Sequence, residues 1–173
     1  MTILTTERLR LEPIAPRHLD GLRRINGDPD VMRHLGDGLP EPEEATERFA
    51  ELVRQQWSER PFSWWAFIDG AEDMVGCGPL KFLENDPCKP HEIGWRIRRD
   101  RWGMGYAPEA ARAIAHYAFT RIRVPVLLAV TVPANTSSIR VMQKIGMRRR
   151  GIETHYGKPC MTFEMGVDDA QTN

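Results

Sequence analysis

The sequence lacks most of what would give a small chain an obvious chemistry. Its three cysteines, Cys77, Cys88 and Cys160, are too few for a disulfide framework and show no CxxC spacing for zinc, so no metal is expected. Each falls in or beside a strand-like segment, which favours buried, inert thiols. No apolar run approaches the roughly 20 residues that cross a bilayer. The first residues, MTILTTERLRLE, lack the basic-then-apolar order of a signal peptide, so a cytoplasmic protein is the default. There is no surplus of charge: 24 basic residues face 24 acidic ones, and nothing draws the chain generally to nucleic acid or membrane. There is no repeat, linker or low-complexity segment. What remains is ordinary globular composition, 41% hydrophobic and 28% charged over 173 residues. A single domain is expected over residues 1–168, with a polar tail at 169–173.

The informative stretch runs from Glu92 to Phe119. A short apolar run at 93–97 leads into a turn with glycines at 103 and 105, and then into a helix. Ala107, Ala111, Ile114, Ala118 and Ile122 recur at steps of three or four, which is one face of a helix. Pro108 suits its first turn, and Glu109 complements the positive end of its dipole. Strand, glycine turn and helix N-terminus make an anion cradle, because the first N–H groups of a helix have no internal partner. Two familiar phosphate motifs are excluded. No Lys follows the glycines as in a P-loop, and the sixth position from Gly103 is Pro108, not the third small residue of a dinucleotide fingerprint. The turn therefore reads as a site for a pyrophosphate that is held and not cleaved.

Around this stretch the patterns predict a strand over 7–14, a helix from Pro16 to Asn26, a loop to Pro42 and a helix over 42–60. Ala45, Phe49, Leu52, Val53 and Trp57 form the apolar face of that second helix. Glu43, Glu44, Glu47 and Glu51 form either a solvated face or a wall for a cationic substrate. Strands follow at 63–68 and 74–82. After the central helix come a strand at 126–132, a helix capped by Asn135 and closed by Gly146, and strands at 147–152 and 160–167 around a turn at 157–159. This is an α/β (α+β) fold, a mixed, mostly antiparallel sheet of about six to seven strands flanked by about four helices.

WGMGYAPEA, preceded by EIGWRI and followed by VPANTSSIRVMQKIGM, resembles the GNAT superfamily of acyl-CoA-dependent N-acyltransferases, and most nearly its RimJ/RimL-like branch. The resemblance covers nearly the whole chain. The family turn pattern falls on Trp102, Gly105 and Ala107, with Trp102 departing from the usual Gln or Arg. The resemblance implies acetyl-CoA as co-substrate and an amine acceptor, taken up in a cleft between two splayed strands. It implies that backbone N–H groups of Gly103, Met104, Gly105, Tyr106 and Ala107 hold the pyrophosphate. Trp95 and Ile97 would flank the pantetheine arm, and Asn135 would contact it. Glu92 would be the base, with His91 the runner-up. The usual acid Tyr falls on Met142, which has no proton to give, so Ser138 is the substitute, with Tyr106 and Tyr156 as other candidates. Arg101 and Arg140 are better placed for phosphate than the run Arg148, Arg149, Arg150. Homodimers are common in that family, and exposed Trp or Phe side chains could support one. The acceptor pocket is expected from the 27–42 loop, the acidic helix, one of Trp64 and Trp65, and the hairpin near His155 and Tyr156. A module that binds acyl-CoA but has lost catalysis is the alternative.

Overall fold

The computed structural model describes residues 2–167, so the expected tail lies outside the described residues. A two-residue strand that the sequence did not signal, β1 (Leu4–Thr5), pairs with β2 (Leu9–Pro13). A 3-10 turn at Pro16–His18 runs into α1 (Leu19–Asn26), which buries Leu22 and Ile25. The expected loop to Pro42 contains a short helix, α2 (Pro29–Met32), capped by the Asp28 carboxylate, which accepts from the Asp30 N–H. Next comes α3 (Glu43–Glu59). Its core face is narrower than expected: Val53 and Trp57 are buried, but Leu52 is 53% exposed.

Strands β3 (Trp64–Asp69) and β4 (Met74–Phe82) form the expected hairpin, closed by a turn in which the Asp69 carboxylate accepts from the N–H groups of Ala71 and Asp73. The strand expected over 93–97 is two pieces, β5 (His91–Ile93) and β6 (Arg96–Ile97). Both pair with β4, and the break lies opposite Gly78 and Pro79. Proline has no N–H to give a ladder. The chains also approach so closely here that a Cβ on Gly78 would stand 2.3 Å from the Gly94 carbonyl oxygen. The rest follows as α4 (Tyr106–Tyr117), prolonged by a π turn at Ala118–Ile122, then β7 (Val126–Thr131), α5 (Thr136–Lys144), β8 (Arg148–His155) and β9 (Lys158–Gly166). The last two strands are longer than expected. Their turn is the two residues Tyr156 and Gly157, both at positive φ (53° and 71°), a geometry whose twist matches that of the strands it joins.

The sheet order is β1-β2-β3-β4-β5-β7-β9-β8, with β6 also on β4, and only β5–β7 is parallel. This is the expected mixed, mostly antiparallel sheet. It has nine strands because β1 was unforeseen and one strand is split. Alternation along β3 serves both faces. Trp65 and Phe67 point to the α4 side, into a cluster with Leu80, Ile93, Ile114, Leu127 and Phe163. Ala66 and Ile68 point to the α1–α3 side, with Ile14, Leu22, Ile25 and Val53. Each fully buried aromatic or aliphatic side chain contributes about 1.5–3 kcal/mol, so Phe67→Ala should cost about 3–5 kcal/mol. Cys77 and Cys160 are buried as expected, and burial pushes the Cys77 thiol up to about 11. Cys88 is exposed, contrary to expectation, because it lies in the turn before β5. Among the described residues no helix is long and apolar enough to cross a membrane.

One polar cluster is buried far from the sheet centre. Glu12, 6% exposed, accepts from Arg10 Nε (2.5 Å), from Arg17 and from His18. His18 Nδ1 accepts from the Ala15 N–H (3.1 Å), so its proton sits on Nε2, facing Glu12 at 3.2 Å.

Candidate active site

The sheet forks at its parallel pair. β5 and β7 are joined only through His91 opposite Leu127 and Glu92 opposite Leu128. Beyond these, β6 turns to β4 while β7 stays with β9. A cleft of about 1010 Å³ opens between them, with Trp95 and Ile97 on one wall and Val130, Thr131 and Asn135 on the other.

The glycine turn closes one end of the cleft. Gly103 and Gly105 have φ of +77° and +83°, left-handed conformations that a side chain would strain. These left-handed glycines let α4 begin abruptly and leave five consecutive N–H groups, Gly103 to Ala107, without an acceptor among the described residues. Arg8 braces the turn from outside, donating to the Met104 carbonyl (2.8 Å) and to Glu109 (2.7 Å). Glu109 also accepts from Thr6 (2.6 Å). Burial pushes the Glu109 carboxyl up, but these hydrogen bonds outweigh it and hold the pKa below its usual value. The acidic residue of the first turn is thus engaged on the side away from the N–H groups. The Met104 side chain stands outside the cleft, so its contribution is its backbone. The Trp102 indole donates to the Ile97 carbonyl (2.8 Å), which explains a Trp at this position and takes up one backbone group expected to face a ligand. Tyr106 and Ala107 line the cleft.

On the opposite wall, Asn135 caps α5, its Oδ1 accepting from the Ser138 N–H (3.2 Å). Its amide donates to Thr131 Oγ1 (3.0 Å) and Ser138 Oγ (3.1 Å), which fixes the side chain. Because Ser138 Oγ accepts there, its own proton is free for another partner. Met142 lines the cleft 2% exposed. Arg140 lines the cleft with no carboxylate partner among the described residues, whereas Arg101 is bound to Asp73 (3.1 Å). Arg148 and Arg150 pair with Glu164 and Glu153 on the outer hairpin.

Glu92 stands at the fork, 7% exposed. Its Oε2 accepts from the Tyr156 hydroxyl and pairs with Lys81 Nζ at 3.3 Å. Its Oε1 has no partner among the described residues, and the residue lines the cleft. Tyr156 is itself clasped: its hydroxyl accepts from Lys81 Nζ (2.6 Å) and from the Glu84 N–H (2.9 Å), while its own N–H donates to Glu84. Burial, and then the charge of Glu92, push the Tyr156 pKa well up, so the hydroxyl keeps its proton and is a poor acid. In the sequence Tyr156 reads as a candidate acid and as part of the acceptor pocket, not as the partner of Glu92, and Lys81 is not singled out. The signal for Lys81 was present, since it lies directly across β4–β5 from Glu92. His91, the runner-up base, faces the other way, packed edge-on against Phe62 with Phe82 beside it. Adjacent strand residues point to opposite faces. Its Nε2 is buried without a partner, and burial lowers its pKa.

The acceptor end is partly as expected. Trp64 lines the cleft while Trp65 is core, and the 33–36 loop and hairpin tip contribute, tied by a bond from Lys158 Nζ to the Gly36 carbonyl (2.8 Å). The acidic helix does not contribute. Its Glu43 and Glu47 pair with Arg23, and Glu51 pairs with Arg54. Among the described residues no group of His, Cys, Asp and Glu converges to hold a metal.

Residues 8–148 match the family model described as "Acetyltransferase (GNAT) domain". The chain belongs to the GNAT family of acetyltransferases. The GNAT domain is similar to YkkB of Bacillus subtilis, 33% identical over 94% of this chain and 95% of that relative. It is 31% identical to an FsC-acetyl coenzyme A-N(2)-transacetylase of Aspergillus fumigatus, over 90% of this chain and 68% of that one. A solved GNAT-family acetyltransferase from Bacillus anthracis superposes with a TM-score of 0.81 at 26% identity, covering 96% of this chain and 99% of that one. This GNAT enzyme is an N-acetyltransferase, with acetyl-CoA the co-substrate of its family.

Proposed function

We propose that this enzyme acetylates a primary amine by direct attack on the acetyl-CoA thioester, with Glu92 as base, on a site of the RimJ/RimL-like kind. The acceptor class is an amine of a protein N-terminus, an amino acid or a small molecule. The single observation that carries the reading is the free Oε1 of a buried carboxylate at the point where the sheet forks. The five unpartnered N–H groups of the glycine turn fit a pyrophosphate, and the dipole of α4 lies behind them. Trp95, Ile97 and Asn135 flank the arm of the co-substrate, and Trp102 and Arg140 stand beside its phosphates. The printed name of the Aspergillus relative, a transfer to N(2), agrees with a nitrogen acceptor.

Acetyl-CoA supplies the activated acyl group. Glu92 Oε1 removes a proton from the amine, directly or through water, as the C–N bond forms and the C–S bond breaks. Tyr156 and Lys81 hold the carboxylate through Oε2, which leaves Oε1 aimed at the cleft. The Ser138 hydroxyl orients the leaving thiolate by donating a hydrogen bond to it, and the proton taken from the amine by Glu92 reaches the thiolate through water. Thermal melting with acetyl-CoA, coenzyme A and ATP tests the first half. A ligand at 100 times its Kd adds about 2.7 kcal/mol, and we expect this for the first two and not for ATP. Thiol release with an amine panel tests the second half. No melting shift with acetyl-CoA would sink the proposal.

A further inference from the structure

The chain as a whole is neutral, with 24 basic and 24 acidic residues, but the cleft is not. Two groups of cations line it. Arg101, Arg140 and Lys144 stand on the side of the glycine turn and α5, where a polyphosphate accounts for them. The second group lies with Glu92. There Lys81 is matched by Glu92 itself (3.3 Å), and Arg96 by Glu41 (3.5 Å). Asp30, the other acid of this part of the lining, is neutralised by Arg99 (2.8 Å). Arg33 and Lys158 remain, both lining the cleft and neither with a carboxylate partner among the described residues. Lys158 gives one of its three N–H donors to the Gly36 carbonyl, which fixes the ammonium beside the loop that carries Arg33 and leaves two donors open. It is two residues from Tyr156, which holds Glu92, so Lys158 borders the end of the cleft where Glu92 sits, and Arg33 lines the cleft from the loop that Lys158 binds. Neither belongs to the glycine turn or α5, the side assigned to the polyphosphate.

We infer that the acceptor is an aminocarboxylate: its carboxylate is held by Arg33 and Lys158 while its amine reaches Glu92 Oε1. The inference rests on the transfer reading above and narrows it. A guanidinium takes a carboxylate through two parallel hydrogen bonds, and a partly enclosed site strengthens them. The same two charges raise the cost of an ammonium in the pocket, so the amine is bound in the neutral form that can attack. They also oppose polyamines and other acceptors with a second positive charge, the class that an acidic helix face would have favoured.

The test uses glycine, β-alanine, 4-aminobutyrate and 6-aminohexanoate, each against its own carboxamide, with 1,4-diaminobutane as the cationic arm. Thiol release gives kcat/KM for each. Calorimetry on the protein saturated with coenzyme A gives Kd for the N-acetyl form of each acid and amide. We expect the acid of at least one pair to exceed its amide by 10-fold or more in both measurements. Arg33→Ala and Lys158→Met should each cut that ratio to 3-fold or less, and Arg33→Lys should keep part of it. Melting curves of the variants check that Lys158→Met leaves the fold intact. Equal use of acids and amides, a preference for the diamine, or a ratio untouched by Arg33→Ala would overturn the inference and leave the transfer reading standing. If no amine releases thiol while acetyl-CoA still raises the melting temperature, the transfer reading fails, and the calorimetric ratio alone decides the charge preference.

Discussion

Glu12 and Glu92 are buried to the same degree, 6% and 7% exposed, yet they are opposites. Both oxygens of Glu12 are occupied, Oε1 by Arg10 and Oε2 by Arg17 and His18. Burial pushes its carboxyl up, but the hydrogen bonds from Arg17 and Arg10 outweigh that and hold it at about 2. Glu92 is bound through one oxygen only, by a tyrosine and a lysine, and the other is left open to the cleft. A buried carboxylate with both oxygens occupied is a fastener. One held by a single edge is available for chemistry.

The comparison breaks most sharply at Glu92. Glu92→Gln should lower kcat by about 10³-fold, within the range for a general base. The acetyl-CoA Kd, read by calorimetry, should stay within about 3-fold, since a retained base contributes little to ground-state binding. Glu12→Gln should do the reverse. It should cost about 2 kcal/mol in urea unfolding and leave kcat unchanged. That is less than for a fully buried pair, because Arg17 is exposed and Arg10 keeps Glu72. Tyr156→Phe removes the donor but not the carboxylate, so kcat should fall by about 10-fold, the scale of one charge-assisted hydrogen bond, with KM nearly constant.

The smallest effect is expected at His91, the neighbour of Glu92 on the opposite face. His91→Leu should leave turnover within about 2-fold and stabilise the protein by about 1 kcal/mol, because it removes a buried nitrogen without a partner. It should also flatten the acid side of the stability profile. Burial lowers the pKa of both His91 and His18 from 6.5, so the neutral forms stabilise the fold above that pH and the contribution is lost as pH falls. Glu12 adds a second loss from 4.5 down to about 2. Urea midpoints from pH 7 to 5 for wild type and His91→Leu should therefore diverge less at pH 7 than at pH 5. If turnover fell with His91→Leu, Glu92 would no longer stand alone as the base.

The glycine turn and the start of α4 could be read from the sequence because their causes are local. Two glycines, a proline and a helical period lie within 28 residues, and Asn135 caps the helix that it precedes. The partners of Glu92 could not be read in this way, since Tyr156 lies 64 positions away at a hairpin tip displaced from the expected turn. The split between β5 and β6 is caused by Pro79 on the neighbouring strand, which sequence reading along one segment does not reveal. Of the two readings of the acidic face of α3, the solvated face agrees with its ion pairs, and its expected share in the acceptor pocket fails for the same reason: Arg23, which pairs with Glu43 and Glu47, is on α1. Exposed Trp or Phe side chains could support a dimer, yet among the described residues the one such side chain in the exposed large hydrophobic set is Trp102, which lines the cleft.

The bond from Lys158 to Gly36 joins a loop after α2 to the tip of the last hairpin, and of these two segments only Tyr156 touches the fork. If Arg33 and Lys158 hold the acceptor as proposed, donor handling and acceptor choice fall to separable parts of one chain. Lengthening the 33–39 loop, or exchanging hairpin residues while keeping Tyr156, should then shift the amine preference of such an enzyme and leave its dependence on acetyl-CoA intact. For an engineer, this seam is where libraries should be aimed. For a lineage, it is where one scaffold can diverge into enzymes with unlike acceptors and a shared donor.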